Sequence, residues 1–309
     1  MPTESLNVYL GYEFDSIKSK AHRSIQSFVR SASGKSDGPR TVVSSVLDLK
    51  ADRVIRQLAD VPVTLRDRVW IPEASLDQWP EALCESLDRG QVALGPSIDV
   101  LNPNILVRLK QFKNMRILVP SMWVKEFFIN FCGLEPSRIY VWAAGVDHKY
   151  WSPTIPESFR LLTVYQKSTI SDSEMQFIKD FADDLSLDLK VVKYGEYKLK
   201  NFRNLLRDSR ALIWAGSTES QALAQFEAWA MNVPTLVRKA RNFHNLGIGS
   251  ESPYLSEETG LCTSDTAITA TDLEVFSQKL DSFNPREWVL QNATPAIARA
   301  NLLSIFETD

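Results

Sequence analysis

The sequence predicts an α/β protein of two domains, each a mostly parallel sheet covered by helices. Three features carry this reading. Short apolar runs alternate with stretches of helical periodicity, which is the mark of βαβ units. The chain has 309 residues, too many for one ordinary α/β domain and suited to two of roughly 150 each. Regular structure also breaks near the middle, where Gly145-Val146-Asp147 leads into Trp151-Ser152-Pro153-Thr154-Ile155-Pro156. The glycine and the two prolines place the boundary at Pro153.

The first half offers five strands: Asn7 to Leu10, Thr41 to Val46, Gln91 to Leu94, Arg116 to Val119 and Ile139 to Trp142. Asp15 to Ser31 reads as a helix, because Ile17, Ala21, Ile25 and Phe28 share one face. Ser31 to Pro39 is polar and contains glycine, so it reads as a loop. Ser121 can cap a second helix that buries Val124, Phe127, Phe128 and Phe131, and Gly133 can end it in a left-handed turn. Gly95-Pro96-Ser97-Ile98-Asp99 reads either as an ordinary turn or as part of a binding cleft.

The second half repeats the logic. Strands are expected at Leu161 to Tyr165, Leu189 to Val192, Ala211 to Trp214 and Thr235 to Val237. Helices fill the gaps at Asp172 to Leu185, Phe202 to Asp208, Ser220 to Met231 and Leu273 to Ser282. After Pro285-Arg286 comes one more helical run, Glu287 to Phe306.

Composition narrows the function. Hydrophobic residues make up 44% and charged residues 24%, which is ordinary globular usage. A net charge of -3 argues against a dedicated nucleic-acid binder, which carries a basic excess. Cys84, Cys132 and Cys262 are few, odd in number and unpaired by spacing, as in a reducing compartment. The start, Met1 to Ser5, lacks a secretory leader pattern, and no run reaches the roughly 20 apolar residues of a membrane span. The expectation is a cytoplasmic protein, with peripheral contact at the inner membrane surface left open. His22, His148 and His244 show no metal-ligand spacing.

The most informative run is Trp214-Ala215-Gly216-Ser217-Thr218-Glu219-Ser220-Gln221-Ala222-Leu223, continued by Glu227-Ala228-Trp229-Ala230-Met231-Asn232-Val233-Pro234-Thr235. An apolar strand passes through small and hydroxyl residues into an amphipathic helix. Folds of this class bind ligands at such strand-to-helix turns. A helix start offers unpaired N–H groups and a positive dipole end to a phosphate. Small residues such as Ser220 and Ala222 would let a diphosphate reach the backbone.

Glu219 and Glu227 lie eight positions apart, an advance of roughly 80° beyond two full turns, so both can face one cleft. Glu227 sits among Ala222, Phe226 and Ala230, where a carboxylate needs partners. Sugar hydroxyls suit it, since an ionised carboxylate only accepts hydrogen bonds. On chemistry alone, Glu219 reads equally as a helix-start carboxylate and Glu227 as part of a solvated face.

This run resembles the E-x7-E segment of the retaining GT-B glycosyltransferases of group 1, or family 4. Their pattern is Ser-x-x-Glu-Gly-Phe-Gly-Leu followed by Glu-Ala-Met-Ala-x-Gly-x-Pro-Val. A second similarity runs from Val119-Pro120-Ser121-Met122-Trp123-Val124-Lys125 through Ile139 to Gly145-Val146-Asp147 and Trp151-Ser152-Pro153. Ser252-Pro253-Tyr254-Leu255, Thr259-Gly260 and Phe283-Asn284-Pro285-Arg286-Glu287 are similar too. The likeness covers about residues 116 to 300; no single piece is specific, but their order is.

The resemblance implies the GT-B architecture, two Rossmann-like domains facing a central cleft. It implies an acceptor domain over 1–153, a nucleotide-sugar domain over 154–284, and a last helix over 285–309 that packs back on the first. By it, Glu227 holds the ribose hydroxyls and Glu219 lies against the donor sugar. Gln221, Ala222 and Leu223 face sugar and diphosphate by their backbone, with Ser217 and Ser220 in the same turn, and Gly195 sits beside the base. An Arg and a Lys usually clamp the diphosphate after the first strand of the second domain. Here Val164-Tyr165-Gln166-Lys167-Ser168 stands there. Lys167 is the phosphate cation, unless it is a solvated surface lysine; Gln166 takes the arginine's place.

The implied function is sugar transfer from a UDP-, GDP- or ADP-sugar to a saccharide, lipid or other hydroxyl acceptor, in glycan or cell-surface polysaccharide synthesis. The implied mode is retention. No cofactor and no metal is expected, since the chain contains no Asp-x-Asp. The alternatives are a catalytically weak GT-B protein that binds sugars or scaffolds, and a GT-B epimerase or phosphorylase. A dinucleotide oxidoreductase is disfavoured, because Gly247-Ile248-Gly249 falls in a late loop with Ser252 at the third glycine position. A serine hydrolase would need G-x-S-x-G, which is absent.

Overall fold

A computed structural model describes residues 7–9, 42, 53–55, 68–73, 85, 87–89, 91–153, 159–240 and 248–308. The expected helix from Asp15, the polar stretch to Pro39, His22, Cys84, His244 and Gly247 lie outside these residues. The chain divides into two compact units. The first takes in the described residues through Gly145 and those from Ala298 onward; the second takes in Val146–Ile297.

In the first unit the described strands are β1 (Asn7–Tyr9), β2 (Arg53–Ile55), β3 (Arg68–Glu73), β4 (Gln91–Ser97), β5 (Arg116–Val119) and β6 (Ile139–Val141). They form one sheet in the order β2-β1-β3-β4-β5-β6, parallel throughout. Two expectations are corrected. Val42 is helical rather than part of a strand, as happens when a short β-branched run shows no period that separates strand from helix. β2 and β3 were not anticipated. β3 carries Pro72, and the ladder to β4 shifts register between Ile71 and Glu73, because proline has no N–H to donate.

Helix α1 (Pro103–Gln111) opens on Pro103, and the Asn102 side chain accepts from Asn104 N. It stops where Arg138 donates to the carbonyls of Leu109 (3.0 Å), Phe112 and Met115 (3.3 Å). Helix α2 (Met122–Asn130) ends in Gly133 at φ 65°, as expected. Ser121 holds the N-cap position, but its hydroxyl makes no capping bond. Phe131 is 47% exposed rather than buried. The helix has ended one residue earlier, so Phe131 leaves the apolar stripe and stacks on Phe127 at 5.8 Å.

The core of the first unit joins distant stretches of sequence. Trp70 donates its indole N–H to Gly95 O at 2.8 Å and meets the Trp142 ring edge-on at 5.3 Å. Trp142 in turn donates to Ala298 O at 2.8 Å. Leu302, Ile305 and Phe306 are buried here, and Arg116 donates to Thr308 O at 2.7 Å.

The second unit runs β7 (Leu161–Gln166), α3 (Asp172–Asp184), β8 (Asp188–Lys193), α4 (Leu199–Asp208), β9 (Ser209–Ala215) and α5 (Leu223–Ala230). It continues through β10 (Thr235–Val237), β11 (Gly260–Cys262), α6 (Ala270–Lys279) and α7 (Pro285–Asn292). The sheet order is β11-β10-β9-β7-β8, again all parallel. β7 and β9 are the middle strands, and Leu161–Tyr165 are all buried, as a strand covered on both faces requires. Ile178, Phe181 and Phe276 line one side of the sheet. Phe202, Phe226, Trp229 and Val289 line the other.

The expected single helix after Pro285 is two. α7 ends at Ala293, and α8 (Pro295–Ile305) begins at a proline that cannot continue it. Trp288 packs within the second unit, edge-on to Phe226 and Trp229 at 5.5 and 5.2 Å. Among the described residues, no helix is long and apolar enough to cross a membrane.

Helix α3 begins with a full capping box between Ser171 and Glu174. It ends in Ser186 at φ 54°, an exposed residue, in the left-handed position where glycine is favoured. Ser186→Gly is expected to raise stability by about 0.5–1 kcal/mol. Urea unfolding of the two proteins checks this; a lowered midpoint would contradict it.

Candidate functional site

The second unit's strand order fixes where a ligand can lie. From β7 the chain goes to β8 on one side, then returns to β9 on the other. The loops leaving the carboxyl ends of β7 and β9 therefore diverge, and a crevice opens between them. The second-unit residues expected to hold the nucleotide sugar lie around that edge. Gln166 ends β7 and Lys167 and Ser168 follow it, Tyr194 and Gly195 follow β8, and Gly216 to Glu227 follow β9.

Backbone bonds hold these loops together. Lys167 N and Ser168 N donate to Ala215 O at 3.0 and 3.1 Å, and Tyr194 N donates to Gln166 O at 2.9 Å. The Ser168 hydroxyl reaches Gly216 O at 2.9 Å. Gly216 must be glycine, since a Cβ there would stand 2.2 Å from Trp214 Nε1. Gly195 is different: its φ is 76° and a Cβ would meet nothing within 4 Å. It leaves open space beside Tyr194.

Helix α5 begins at Leu223, three residues later than the sequence suggests. The delay has a cause. Ala222 is the N-cap and takes a left-handed conformation, φ 65° and ψ 54°, at a cost of roughly 1–2 kcal/mol for a residue with a Cβ. Asn232, beyond the other end of the helix, is also left-handed at φ 62°. Both stand where the group 1 pattern carries glycine. The first bonds of the helix run from Gln225 N and Phe226 N to Ala222 O. The N–H groups of Leu223 and Ala224 have no backbone acceptor among the described residues. They are donors at the positive end of a helix. Ser217 and Ser220 are exposed in the turn and Gln221 is buried.

Glu227 lies about one turn into this helix and is buried with its neighbours Phe226, Ala228 and Trp229. Among the described residues it has no cation beside it. Burial raises its carboxyl from the ordinary 4.5 to about 8. Its charge is felt by two phenols, Tyr165 and Tyr197, which bond to each other at 3.1 Å. Burial, above all, pushes both phenols well above their usual range. Tyr165 stacks flat on Trp214 at 4.3 Å. The carboxyl thus stands in an aromatic wall, not on a solvated helix face.

Glu219 is buried by a different arrangement. Its backbone N–H donates to Ser250 O at 2.7 Å, and Lys167 Nζ lies 2.8 Å from both carboxylate oxygens. Burial raises the Glu219 carboxyl, while the Lys167 ammonium pulls it back down. The same ammonium sits over the Tyr194 ring at 4.7 Å. Lys167 is therefore not a solvated surface lysine.

The sequence reading missed Arg238, which follows β10. It is buried; it donates to Thr169 O at 2.9 Å, to Glu174 at 3.1 Å and to the Ser168 hydroxyl. Its charge is spent on Glu174 and it braces the loop after β7 from behind. Tyr165, Tyr194 and Tyr197 were missed as well. Gly195 was the available signal for Tyr194, an aromatic residue 60% exposed at a turn. Nothing local marked Tyr165 as more than a strand residue.

No family model and no curated protein matches this sequence. Solved structures do match. A glycosyltransferase from Rickettsia africae ESF-5 aligns with TM-score 0.56 and 11% identity over 98% of both chains. Anabaena Alr3699/HepE, solved in complex with UDP, aligns with TM-score 0.53 and 10% identity over 99% of this chain and 100% of that one. Sucrose-phosphate synthase from Thermosynechococcus elongatus aligns with TM-score 0.53 and 12% identity over 98% of both. Identity this low speaks to the fold alone, and that fold is GT-B, with parallel α/β sheets in both units.

Proposed function

We propose that this chain is a glycosyltransferase that carries a sugar from a nucleotide-sugar donor to a hydroxyl-bearing acceptor, a saccharide or lipid. The observation that carries the reading is Glu227, a carboxyl buried in an aromatic wall at the crevice where a doubly wound sheet takes its ligands. Such a group gains most from ligand hydroxyls, and a ribose offers two side by side. Complexes of Anabaena HepE with UDP and with UDP-glucose support the choice of ligand class.

The chemistry follows from the charges that grow during transfer. As the sugar–phosphate bond breaks, negative charge builds on the leaving diphosphate and positive charge on the sugar ring. Lys167 and the open N–H groups of α5 would stabilise the first, and Glu219 would lie near the second. Retention of anomeric configuration rests on the likeness of the Glu219-to-Glu227 segment to the group 1 enzymes. The diphosphate is balanced without metal in this reading, because the site supplies a lysine and a helix end.

The test is a panel of UDP-, GDP- and ADP-sugars. One of them is expected to raise the melting temperature in proportion to the logarithm of its concentration. That donor should then be hydrolysed or transferred equally well in excess EDTA. No response to any nucleotide sugar would overturn the function. Activity lost to EDTA and restored by manganese would overturn the metal-free site.

A further inference from the structure

The ion pair between Lys167 and Glu219 has a consequence for which ligands the crevice accepts. Among the described residues that follow β7 and β9, Lys167 is the cation a diphosphate can reach, since Arg238 is held behind the loop by Glu174, Thr169 and Ser168. Yet Lys167 is not waiting for an anion. Its ammonium lies 2.8 Å from both oxygens of Glu219 and 4.7 Å from the centre of the Tyr194 ring. The Glu219 side chain is 9% exposed and that of Lys167 25%. A diphosphate that takes the ammonium must draw it from a buried carboxylate, and breaking this ion pair is costly in a place water scarcely reaches.

We infer that the Lys167–Glu219 pair makes the site select an intact nucleotide sugar over the free nucleoside diphosphate. This rests on the nucleotide-sugar reading above. A nucleoside diphosphate alone competes with Glu219 for Lys167 and returns nothing to the carboxylate. A nucleotide sugar brings the same diphosphate and also hydroxyl groups, which donate to Glu219 as Lys167 turns away. The exchange is then balanced: ammonium to phosphate, sugar hydroxyl to carboxylate. Once the sugar has been transferred, the hydroxyls leave with it. Glu219 regains its hold on Lys167, and the diphosphate is expelled. The resemblance puts Glu219 against the donor sugar; the ion pair gives it a say over the diphosphate too. Tyr194, whose exposed ring faces the ammonium, gives Lys167 a resting surface between the two partners.

The experiment is calorimetric titration with UDP and UDP-glucose, or with the guanosine or adenosine pair if the wild type binds that one. In wild type the intact donor is expected to bind at least about 10-fold tighter than the diphosphate. In Glu219→Gln the diphosphate should bind about 3- to 10-fold tighter than in wild type, and the preference for the intact donor should shrink toward none. The double variant Lys167→Met/Glu219→Gln should show no gain over Lys167→Met alone, because the gain works through the freed ammonium. If Lys167→Met alone folds poorly, the double variant is compared with wild type, over which it should show no gain for the diphosphate. Unchanged or weakened diphosphate binding in Glu219→Gln would overturn the inference. So would a gain that persists without Lys167, which would mean simple removal of a negative charge. If the wild type binds no nucleotide at all, the functional reading falls and this one falls with it. If Glu227→Ala loses nucleotide while Glu219→Gln changes nothing, only this one falls.

Discussion

Replacing Glu227 with alanine is expected to weaken binding of the nucleotide sugar and of the free diphosphate alike, by about 1.5–3 kcal/mol or roughly 10- to 150-fold. The buried carboxyl has an aromatic wall, no neighbouring cation among the described residues, and Tyr165 and Tyr197 close by. Ligand hydroxyls would supply the bonds the fold withholds, and bonds to a charged acceptor are the stronger kind. Titration of both proteins with UDP, GDP and ADP checks it. Equal affinity in the two, for a nucleotide that does bind, would remove Glu227 from the site.

The same residue sets a pH signature. The carboxyl is raised from 4.5 to about 8. Below pH 4.5 it is protonated whether the chain is folded or not, and its neutral form stabilises fully. Between 4.5 and 8 the unfolded chain gives up the proton while the folded one keeps it, so stability falls as pH rises. The loss is on the order of a few kcal/mol across that window. Glu227→Gln should flatten the slope and raise stability near pH 8. Ligand hydroxyls prefer the ionised carboxylate, so wild-type nucleotide affinity should climb as pH approaches 8. In the glutamine variant it should not. The phenols beside it do not confuse this test, because their own ionisation is pushed further up.

The second large effect is structural. A chain cut after Phe283 is expected to be insoluble, or to melt far below the full protein. The cut strips both units at once. The second unit loses Val289 and the Trp288 ring that seats on Phe226 and Trp229. The first unit loses Leu302, Ile305 and Phe306, all buried, and the carbonyl of Ala298 that holds Trp142. Each large apolar side chain is worth about 1.5–3 kcal/mol, and domain stability is only about 5–15 kcal/mol. Soluble yield and a melting curve decide the matter; wild-type melting would show that these contacts are dispensable.

The fold was legible wherever burial imposes a period. The strands at Leu161, Ala211 and Thr235 stand out because both faces of the sheet are covered, so their residues are mostly apolar. The helix from Asp172 shows its capping box openly in Ser171 and Glu174. What stayed hidden was polar or interrupted. β3 carries Pro72, and β2 is three residues long with an arginine at its start. The late start of α5 could not be read, because a left-handed alanine looks like any other helix former.

The candidate site was half legible. Glu219, Glu227 and Lys167 were found by residue type and by likeness of pattern. Their states were not. That Glu227 would be surrounded by aromatic side chains, or that Lys167 would already hold Glu219, depends on residues 52 positions apart. Arg238 carries no local sign of its role. It is recognised only when β10 is seen to end beside the loop that follows β7.

The membership of residues 298–308 in the first unit bears on how the protein is made. Gly145 closes the continuous part of that unit, and Ala298 follows it by 153 residues. At roughly 5–20 residues per second, the ribosome needs about 8–30 s to cover that distance. Through that interval the seats of Leu302, Ile305 and Phe306 lie bare, and Trp142 lacks its acceptor. The second unit can collapse as it emerges, apart from the turn that Trp288 covers. The first must wait as an unfinished core. It is during this wait that a nascent chain meets holding chaperones or associates with its neighbours on a polysome. Pausing of synthesis between residues 145 and 298 should therefore harm the yield of this protein more than pausing at its start.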